Sequence, residues 1–252
     1  MAETAAPLLE VDQITVRFGG ITAVNDASFA VEPGTITGLI GPNGAGKTTL
    51  FNVITGLLPP TNGRVRLFGE DVSSLGTHAR ARKGVARTFQ RLEAFGSLSV
   101  RENVQVAAEI HERWSKKRGD VHAKTDAILD RIGLTKLADQ QADSVPTGTA
   151  RLLELARAIA IEPKLLLLDE PSSGLDEEET DAFAQLLRDL VAEGRAVLIV
   201  EHDMDLVMGV CHHIHVLDFG HIIASGPPEE IRDDPRVQDA YLGTADAEGG
   251  AA

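Results

Sequence analysis

The chain has 252 residues, of which 25% are charged and 43% hydrophobic, and its formal net charge is -14. This length and composition are typical of one large globular domain and exclude a largely disordered chain. The acidic balance excludes a general nucleic-acid binder, because phosphate contacts need clustered Lys and Arg side chains.

The N-terminal part of the chain predicts strands separated by tight turns. Apolar and polar residues alternate over 9–18, and a second strand is predicted over 21–31 after a pair of glycines. A short apolar run over 35–40 stops at a glycine and opens onto a helix that begins near Lys47. The pattern therefore predicts a buried strand, a glycine-rich loop and a helix, with another strand over 63–68.

The middle of the chain has a helical character. Apolar residues recur at spacings of three and four over 100–111 and 123–132, which predicts an inserted helical subdomain at about 92–160. After it, strand and helix patterns alternate over 165–168, 180–192, 196–200, 206–210 and 215–217. This alternation predicts an α/β fold with a mostly parallel sheet, in a single domain over 1–244. The small and acidic residues 245–252 are expected to be disordered.

Two features of composition bear on the environment of the chain. The single cysteine, Cys211, excludes an internal disulfide, fits a reducing compartment, and is expected to be a buried small residue. No apolar run is long enough to span a bilayer, so we expect any membrane association to go through a partner.

Basic residues concentrate in one stretch of this acidic chain. They are Arg80, Arg82, Lys83, Arg87, Arg91, Arg101, Arg113, Lys116, Lys117 and Arg118. The stretch favours a solvated helical face, and the alternative is a surface turned towards anionic lipid headgroups or a membrane partner.

Residues 41–48 match the phosphate-binding loop pattern, in which glycines are followed by Lys and Thr. Such glycines let backbone N–H groups converge on phosphate oxygens, and the positive end of the following helix points at the same place. Lys47 is expected to reach the β- and γ-phosphates, and the Thr48 hydroxyl to bind Mg²⁺. The predicted nucleotide-binding residues are Gly41, Pro42, Asn43, Gly44, Ala45, Gly46, Lys47, Thr48 and Thr49.

Two adjacent acids follow the apolar run over 165–168. They lie where ligands bind in open α/β sheets, at the carboxyl end of a strand. Asp169 is expected to hold Mg²⁺ directly or through water, and Glu170 to orient and polarise the attacking water. Two acids after a strand are often only a turn, but here they accompany a phosphate loop.

Taken in order, these motifs resemble those of ABC transporter nucleotide-binding subunits over nearly the full chain. The family has a glutamine between its core and its helical subdomain, and Gln90 stands at that place in Thr-Phe-Gln. It has a histidine after the strand beyond the acids, which corresponds to His202 in Glu-His-Asp. The resemblance implies that Gln90 contacts Mg²⁺ and water and that His202 contacts the γ-phosphate. Alone, His202 is more often a structural histidine.

The resemblance extends to two further nucleotide contacts. The family's loop after the acids reads Ser, small residue, Leu, Asp, and residues 173–176 match it with Asp176 at the end. In the family an aromatic residue ahead of the phosphate loop stacks on adenine, and Phe18 is the candidate here. The alternative for Phe18 is an ordinary core residue.

The family's diagnostic Leu-Ser-Gly-Gly-Gln segment is altered here to Val-Pro-Thr-Gly-Thr over 145–149. In the family, two subunits close head to tail, and each such segment completes the ATP site of the opposite subunit. Pro146 has neither the hydroxyl nor the N–H of a serine, whereas Thr147, Gly148 and the helix end remain to contact nucleotide. We hypothesise that, if the partner is a different subunit, its ATP site is the weaker one. The alternative is that Thr147 or Thr149 supplies the missing donor.

The resemblance as a whole implies a P-loop NTPase (RecA-like) fold with an N-terminal antiparallel β subdomain, and ATP and Mg²⁺ as cofactors. Residues 86–90, 201–208 and 240–243 resemble the importers of branched-chain amino acids and related solutes. Those importers have two nonidentical ATPase subunits, integral membrane permeases and an extracytoplasmic solute-binding protein. We therefore expect a cytoplasmic ATPase subunit held to the inner face of the cell membrane by permeases.

Two other functions remain open from the sequence. One is a soluble ABC ATPase without a transport role, although such proteins usually carry two cassettes or a long coiled-coil insertion. The other is a regulatory subunit that binds ATP and hydrolyses it weakly. Glu170 and His202 speak against the second alternative, and Pro146 speaks mildly for it.

Overall fold

The computed structural model describes residues 6–89, 93–116 and 118–248. The strands are β1 (Leu9–Phe18), β2 (Ile21–Val31), β3 (Ile36–Ile40), β4 (Asn62–Leu67), β5 (Glu70–Asp71), β6 (Val85–Arg87), β7 (Leu165–Asp169), β8 (Ala196–Val200), β9 (His213–Asp218) and β10 (His221–Gly226). The α-helices are α1 (Lys47–Thr55), α2 (Thr77–Lys83), α3 (Val100–Ser115), α4 (Val121–Arg131), α5 (Thr147–Ala160), α6 (Glu177–Ala192), α7 (Met204–Val210), α8 (Pro228–Arg232) and α9 (Pro235–Glu248). A 3₁₀ turn covers Thr135–Leu137.

Within these described ranges, the strands form two sheets. The larger sheet has the order β10-β9-β3-β8-β7-β6, with parallel pairing from β9 to β6 and an antiparallel β10 at one edge. The smaller sheet has the order β2-β1-β4-β5 and is antiparallel. The predicted α/β fold, with a mostly parallel core and an N-terminal antiparallel β subdomain, is confirmed.

The central strands are apolar along their whole length because both faces of the parallel sheet are covered. All residues of β3, β7 and β8 are buried. Along β7, Leu166 and Leu168 pack into one hydrophobic cluster with the helical subdomain, whereas Leu165 and Leu167 pack into the other with α1 and the small sheet. This alternation follows from the two-residue period of a strand.

The helices α3, α4 and α5 lie in the stretch predicted for the inserted helical subdomain. Ser99 begins α3 with a reciprocal capping box, since its hydroxyl accepts from Glu102 N–H and the Glu102 carboxylate accepts from Ser99 N–H. Asn103 is fully buried and binds the backbone of Phe95 through both its amide oxygen and its amide nitrogen. Residues 95–99 are thereby fixed to the first turns of α3.

Several boundaries differ from the sequence-based predictions. Helix α6 begins three residues earlier than expected, because the Asp176 side chain caps it by accepting from Glu179 N–H at 2.8 Å. Helix α9 continues to Glu248, so residues 245–248, which were expected to be disordered, are helical; their alanines favour a helix.

The basic stretch is not uniformly a solvated face. Arg80 is 1% exposed. Its guanidinium donates to the carbonyls of Val53 and Ile54 at the end of α1, and to the carbonyl of Leu75 in the loop before α2. Arg113, Lys116 and Arg118 are exposed, and Arg91 and Lys117 lie outside the described residues. The prediction is therefore wrong for Arg80, whose guanidinium satisfies helix-end carbonyls.

The prediction that Cys211 is a buried residue is confirmed. Cys211 is buried, and its sulfur faces the space beside Gly38 of β3. Among the described residues, no helix combines the length and apolar character needed to cross a membrane.

Candidate functional site

The phosphate loop leaves β3 in a conformation that requires glycine. Gly41, Gly44 and Gly46 have positive φ angles of 149°, 79° and 108°. A Cβ atom at position 41 would lie 1.9 Å from the carbonyl oxygen of Leu217, and one at position 46 would lie 2.5 Å from that of Ala23. The loop therefore packs so closely on β9 and β2 that no side chain fits at these two positions.

The Lys47 side chain binds back to the backbone of the phosphate loop. Lys47 is the first residue of α1 and is 7% exposed, and its Nζ donates to the carbonyls of Gly41 at 2.5 Å and Pro42 at 3.0 Å. Burial lowers the pKa of Lys47, and the negative charges of Glu170 and Asp169 oppose that shift. The ammonium is thus held at the mouth of the loop, facing the two acids.

A cleft of about 310 Å³ opens over the loop. Its lining residues are Ala23, Asn43, Gly44, Ala45, Gly46, Lys47, Thr48, Thr49, Glu170, Val200 and His202. The Thr48 side chain is exposed towards it. The fold thus brings most of the predicted phosphate loop together with two of the three predicted catalytic residues.

Glu170 and His202 form a pair at the edge of this cleft. His202 Nε2 and Glu170 Oε1 are 2.6 Å apart, and the side chains are 48% and 22% exposed, respectively. Glu170 has a left-handed backbone with φ of 50°, a conformation that non-glycine residues adopt mainly where the surrounding structure imposes it. Its N–H donates to Val200 O at 2.8 Å, which fixes the turn after β7 against the end of β8.

Asp169 directly precedes Glu170 in the sequence and is buried, with 2% of its surface exposed. Its carboxylate Oδ2 accepts from Arg87 Nη2 at 3.0 Å, and its N–H donates to Thr88 Oγ1 at 3.2 Å. Arg87 also donates to Asn52 Oδ1 at 2.7 Å, which ties α1 to the acid. Burial lowers the pKa of Arg87, and the bond to Asp169 opposes that shift.

The altered 145–149 segment forms the N-terminal end of α5. Pro146 is the N-cap without a side-chain cap bond, and Thr147, Gly148 and Thr149 form the first turn. Thr147 is exposed, whereas Thr149 is 7% exposed. A Cβ atom at Gly148 would lie 2.5 Å from Gly174 O, so this turn packs directly on the loop that follows Glu170.

The other predicted contacts that the structure describes are not among the cleft-lining residues. Phe18 is 51% exposed at the end of β1, so its interpretation as a core residue is wrong and its ring is available to a ligand. Thr147 and Gly148 lie beside Gly174, and Asp176 caps α6. Gln90 lies outside the described residues.

The donor set suits a metal ion that is completed by phosphate and water. Among the residues the structure describes, no group of three His, Cys, Asp or Glu side chains could hold a metal by itself. Mg²⁺ is commonly bound by one or two protein oxygens together with substrate phosphates and waters. Thr48 and Asp169 fit that requirement.

Three contacts near the site were missed by the sequence analysis. Arg87 was counted only as part of a basic stretch. Glu201, which is 4% exposed, accepts from Ser172 N–H at 2.8 Å and so holds the turn after the acids. Tyr241 of α9 is hydrogen-bonded to the backbone of Gly41, and burial raises its pKa to about 12. No local pattern marks such contacts, since each joins residues remote in sequence.

Comparisons with known proteins agree with this geometry. The family profile described as ABC transporter matches residues 24–173, and a profile described as branched-chain amino acid ATP-binding cassette transporter matches residues 221–247.

Curated relatives match along nearly the whole chain. The high-affinity branched-chain amino acid transport ATP-binding protein BraF of Pseudomonas aeruginosa is 42% identical, with 95% of this chain and 99% of BraF covered. The protein of the same description, LivG, from Escherichia coli is 40% identical with the same coverage. These relatives are transport proteins, which disfavours the alternative of an ATPase without a transport role.

Solved structures show the same fold. A crystal structure of an ATP-binding cassette of an ABC transporter, in its ADP conformation, superposes with a TM-score of 0.85 at 31% identity. The match covers 95% of this chain and all of that one. The chain therefore belongs to the ABC transporter family, within which it is an ATPase cassette.

Proposed function

We propose that this chain hydrolyses ATP with Mg²⁺ to drive an importer of branched-chain amino acids or closely related solutes. The observation that carries the proposal is the cleft in which the phosphate loop faces the Glu170–His202 pair. The relatives BraF and LivG are described as branched-chain amino acid transport proteins, which supports this class of solute.

The phosphate loop and Lys47 hold the nucleotide. The loop and the N-terminus of α1 line the cleft, and backbone N–H groups of such a loop and helix end stabilise negative phosphates. On this proposal the Lys47 ammonium exchanges its two carbonyl acceptors for phosphate oxygens. That exchange retains its hydrogen bonds and adds an ionic attraction.

Glu170 and His202 position the attacking water. Glu170 is fixed by its backbone bond to Val200 and by His202 Nε2, and its carboxylate at the edge of the cleft is proposed to accept a hydrogen bond from water at the γ-phosphate. Thr48 and Asp169, with Gln90 as a further contact, would hold Mg²⁺, which would supply positive charge at the phosphates. Phe18 stacks on the adenine ring.

A second ATPase subunit, nonidentical and arranged head to tail, completes each site. In this arrangement Thr147, Gly148 and Asp176 face the partner's nucleotide. In place of a weakened partner site, we favour the alternative in which a threonine supplies the donor absent at Pro146. Thr147 is the candidate, because it is exposed in the first turn of α5 whereas Thr149 is buried. Through the contact between Gly148 and Gly174, a movement of the loop that follows Glu170 would be transmitted to the partner's ATP site.

A separate groove, lined in part by Arg87, suits a helix of the permease. It has a volume of about 310 Å³, and its apolar lining includes Phe89, Phe95, Val106 and Ile110. Ile110 and Phe95 are 46% and 47% exposed, which is typical of a surface covered by another protein. A cytoplasmic helix of an integral membrane permease is the proposed occupant, and the permease holds this chain at the inner face of the membrane. An extracytoplasmic solute-binding protein acts through the permease.

The site assignment is tested by separating binding from turnover. Lys47→Ala should weaken Mg²⁺-ATP binding at least tenfold by calorimetry, because a buried cation at the phosphates is lost. Glu170→Gln should bind ATP normally but lower phosphate release from the assembled transporter at least a hundredfold. Lys136→Ala and Glu178→Gln, both at exposed positions, are the matched controls.

Two results would contradict the assignment. One is unchanged ATP affinity in Lys47→Ala. The other is full phosphate release in Glu170→Gln, which would remove the role given to that carboxylate. Failure of leucine uptake into vesicles with the complete transporter, while ATP hydrolysis persists, would refute only the proposed solute.

A further inference from the structure

Gly41, the first residue of the phosphate loop, is held by three separate parts of the chain. Its carbonyl oxygen accepts from Lys47 Nζ at 2.5 Å. A Cβ atom at this position would lie 1.9 Å from the carbonyl oxygen of Leu217, so the backbone packs directly on the end of β9. The third contact comes from the C-terminal helix α9, where the Tyr241 hydroxyl oxygen accepts a hydrogen bond from Gly41 N–H. Side chains therefore bind both polar backbone groups of Gly41.

The strand ladder does not take up the Gly41 N–H. Among the described residues, β3 pairs with β8 as far as Gly38 and with β9 as far as Ile40. Gly41 is nevertheless buried, and a buried backbone N–H is strongly unfavourable unless it has an acceptor. Tyr241 supplies that acceptor from a helix that is remote in sequence.

Packing fixes Tyr241 at this place. The residue is partly buried and packs against a hydrophobic cluster that includes Val237, one turn earlier in α9. Val237 is 6% exposed, and Ile231 of the preceding helix α8 is 2% exposed. Burial raises the pKa of Tyr241 to about 12, so the hydroxyl is neutral near pH 7 and accepts through its lone pairs. Helix α9 therefore presents a fixed acceptor to the loop.

We propose that Tyr241 is a positioning residue for ATP binding, whose hydroxyl holds Gly41 and so keeps the phosphate loop in the conformation that accepts phosphates. Tyr241 is not among the residues that line the cleft, so it acts through Gly41 and not on the nucleotide itself. This role deepens the proposed function and rests on it for the identity of the nucleotide.

The hydroxyl matters most when nucleotide arrives. On the proposed function, Lys47 gives up the carbonyl oxygens of Gly41 and Pro42 for phosphate oxygens. Gly41 then loses its contact with Lys47, and the bond to Tyr241 keeps its N–H in place. Without that bond, a smaller fraction of the loops is in the accepting conformation, and the apparent dissociation constant for ATP rises by the inverse of that fraction.

Tyr241→Phe tests the hydroxyl in the purified chain, because it removes one oxygen atom and keeps the ring. We expect the dissociation constant for Mg²⁺-ATP, measured by calorimetry, to rise at least fivefold. Hydrogen exchange at the Gly41 amide should accelerate at least tenfold, whereas exchange at Leu198 in the core strand β8 should keep the wild-type rate. Thr125→Val is the matched control, because it removes a buried hydroxyl from α4 and should leave ATP affinity and Gly41 exchange unchanged.

Two results with the purified chain would overturn the proposal. One is wild-type ATP affinity in Tyr241→Phe. The other is equal acceleration at Gly41 and Leu198, which would mean that the chain has lost stability as a whole. In the assembled transporter, the variant should raise KM for ATP at least fivefold and leave kcat within twofold of wild type, because Glu170 and His202 are unchanged. A lower kcat at unchanged KM would also overturn the proposal.

A second test leaves the hydroxyl in place. Tyr241 is the single tyrosine of the chain, so growth with 3-fluorotyrosine labels this position alone. The ¹⁹F signal should shift when Mg²⁺-ATP is added to saturation, because the Gly41 peptide group changes its partners, and Mg²⁺ alone should leave the signal in place. A signal that does not respond to saturating Mg²⁺-ATP would overturn the proposal.

The two proposals fail in different ways. If Lys47→Ala binds ATP as tightly as wild type, the proposed function fails, and exchange at Gly41 in Tyr241→Phe still decides whether the hydroxyl fixes the loop. If ATP binding depends on Lys47 but not on Tyr241, the positioning role fails and the proposed function stands.

Discussion

Replacing Arg87 by Met tests how the acid at the end of β7 is held. The Arg87 and Asp169 side chains are 6% and 3% exposed and are joined at 3.0 Å. Arg87→Met retains a flexible apolar chain but leaves a carboxylate buried without its partner. Losing one member of a buried ion pair typically costs about 3–5 kcal/mol, largely because the other charge is left uncompensated.

Arg87 makes other stabilising contacts, but their free energies cannot simply be added to that of the ion pair. The guanidinium lies 4.8 Å from the centre of the Phe89 ring and 5.4 Å from that of Phe51, and it also binds Asn52. A desolvated cation–π contact contributes about 1–2 kcal/mol, but these contacts and the ion pair share one guanidinium and are not independent. We therefore expect Arg87→Met to lower the free energy of unfolding by about 3–5 kcal/mol.

The assay is equilibrium unfolding in urea without nucleotide, followed by fluorescence and circular dichroism, whose transitions must coincide. Arg66→Met is the control, because Arg66 pairs with Glu10 at 3.1 Å while their side chains are 32% and 34% exposed. That variant should lose less than about 1 kcal/mol. Adding Asp169→Asn to Arg87→Met removes the stranded charge and should restore at least about 2 kcal/mol. Equal losses in both single variants, or no recovery in the double variant, would refute the reasoning.

Two further predictions concern buried groups away from the cleft. His215 is 5% exposed, and burial, with a smaller effect from His213, lowers its pKa to about 4. Between about pH 6.5 and 4, position 215 is protonated in the unfolded chain but neutral in the folded chain. The contribution of His215 to the free energy of unfolding therefore falls as pH falls through this range, by about 3 kcal/mol in all. His215→Gln should flatten this part of the curve of unfolding free energy against pH, and an unchanged slope would contradict it. Burial raises the pKa of the Cys211 thiol to about 12, so we expect a disulfide reagent to label it at least a hundredfold more slowly in the native chain than in denaturant at pH 8. Equal labelling rates would show that the thiol is accessible.

The features predicted well from the sequence were those with a local physical cause. Strands β1 and β2 have the predicted bounds, because alternating burial and the glycine turn between them are visible residue by residue. The phosphate loop was predicted for the same reason. Gly41 and Gly46 are required where the backbone packs closely under neighbouring strands, and Lys47, which is proposed to bind the phosphates, follows them directly.

The sequence by itself determined the long central strands and helices, the phosphate loop and the acids that follow β7, because each depends on residues within a few positions of one another. It did not predict the elements β5, β6, β10, α2, α8 and α9. Tertiary structure alone decided that Arg87 reaches Asp169, 82 positions away, and that Glu154 reaches Glu93, 61 positions away. An arginine or a glutamate has the same local pattern on a solvated helix face as at a buried contact. Its role is set only when the packing of β6 on β7, and of Glu154 of α5 against Glu93, removes water and leaves a partner within reach.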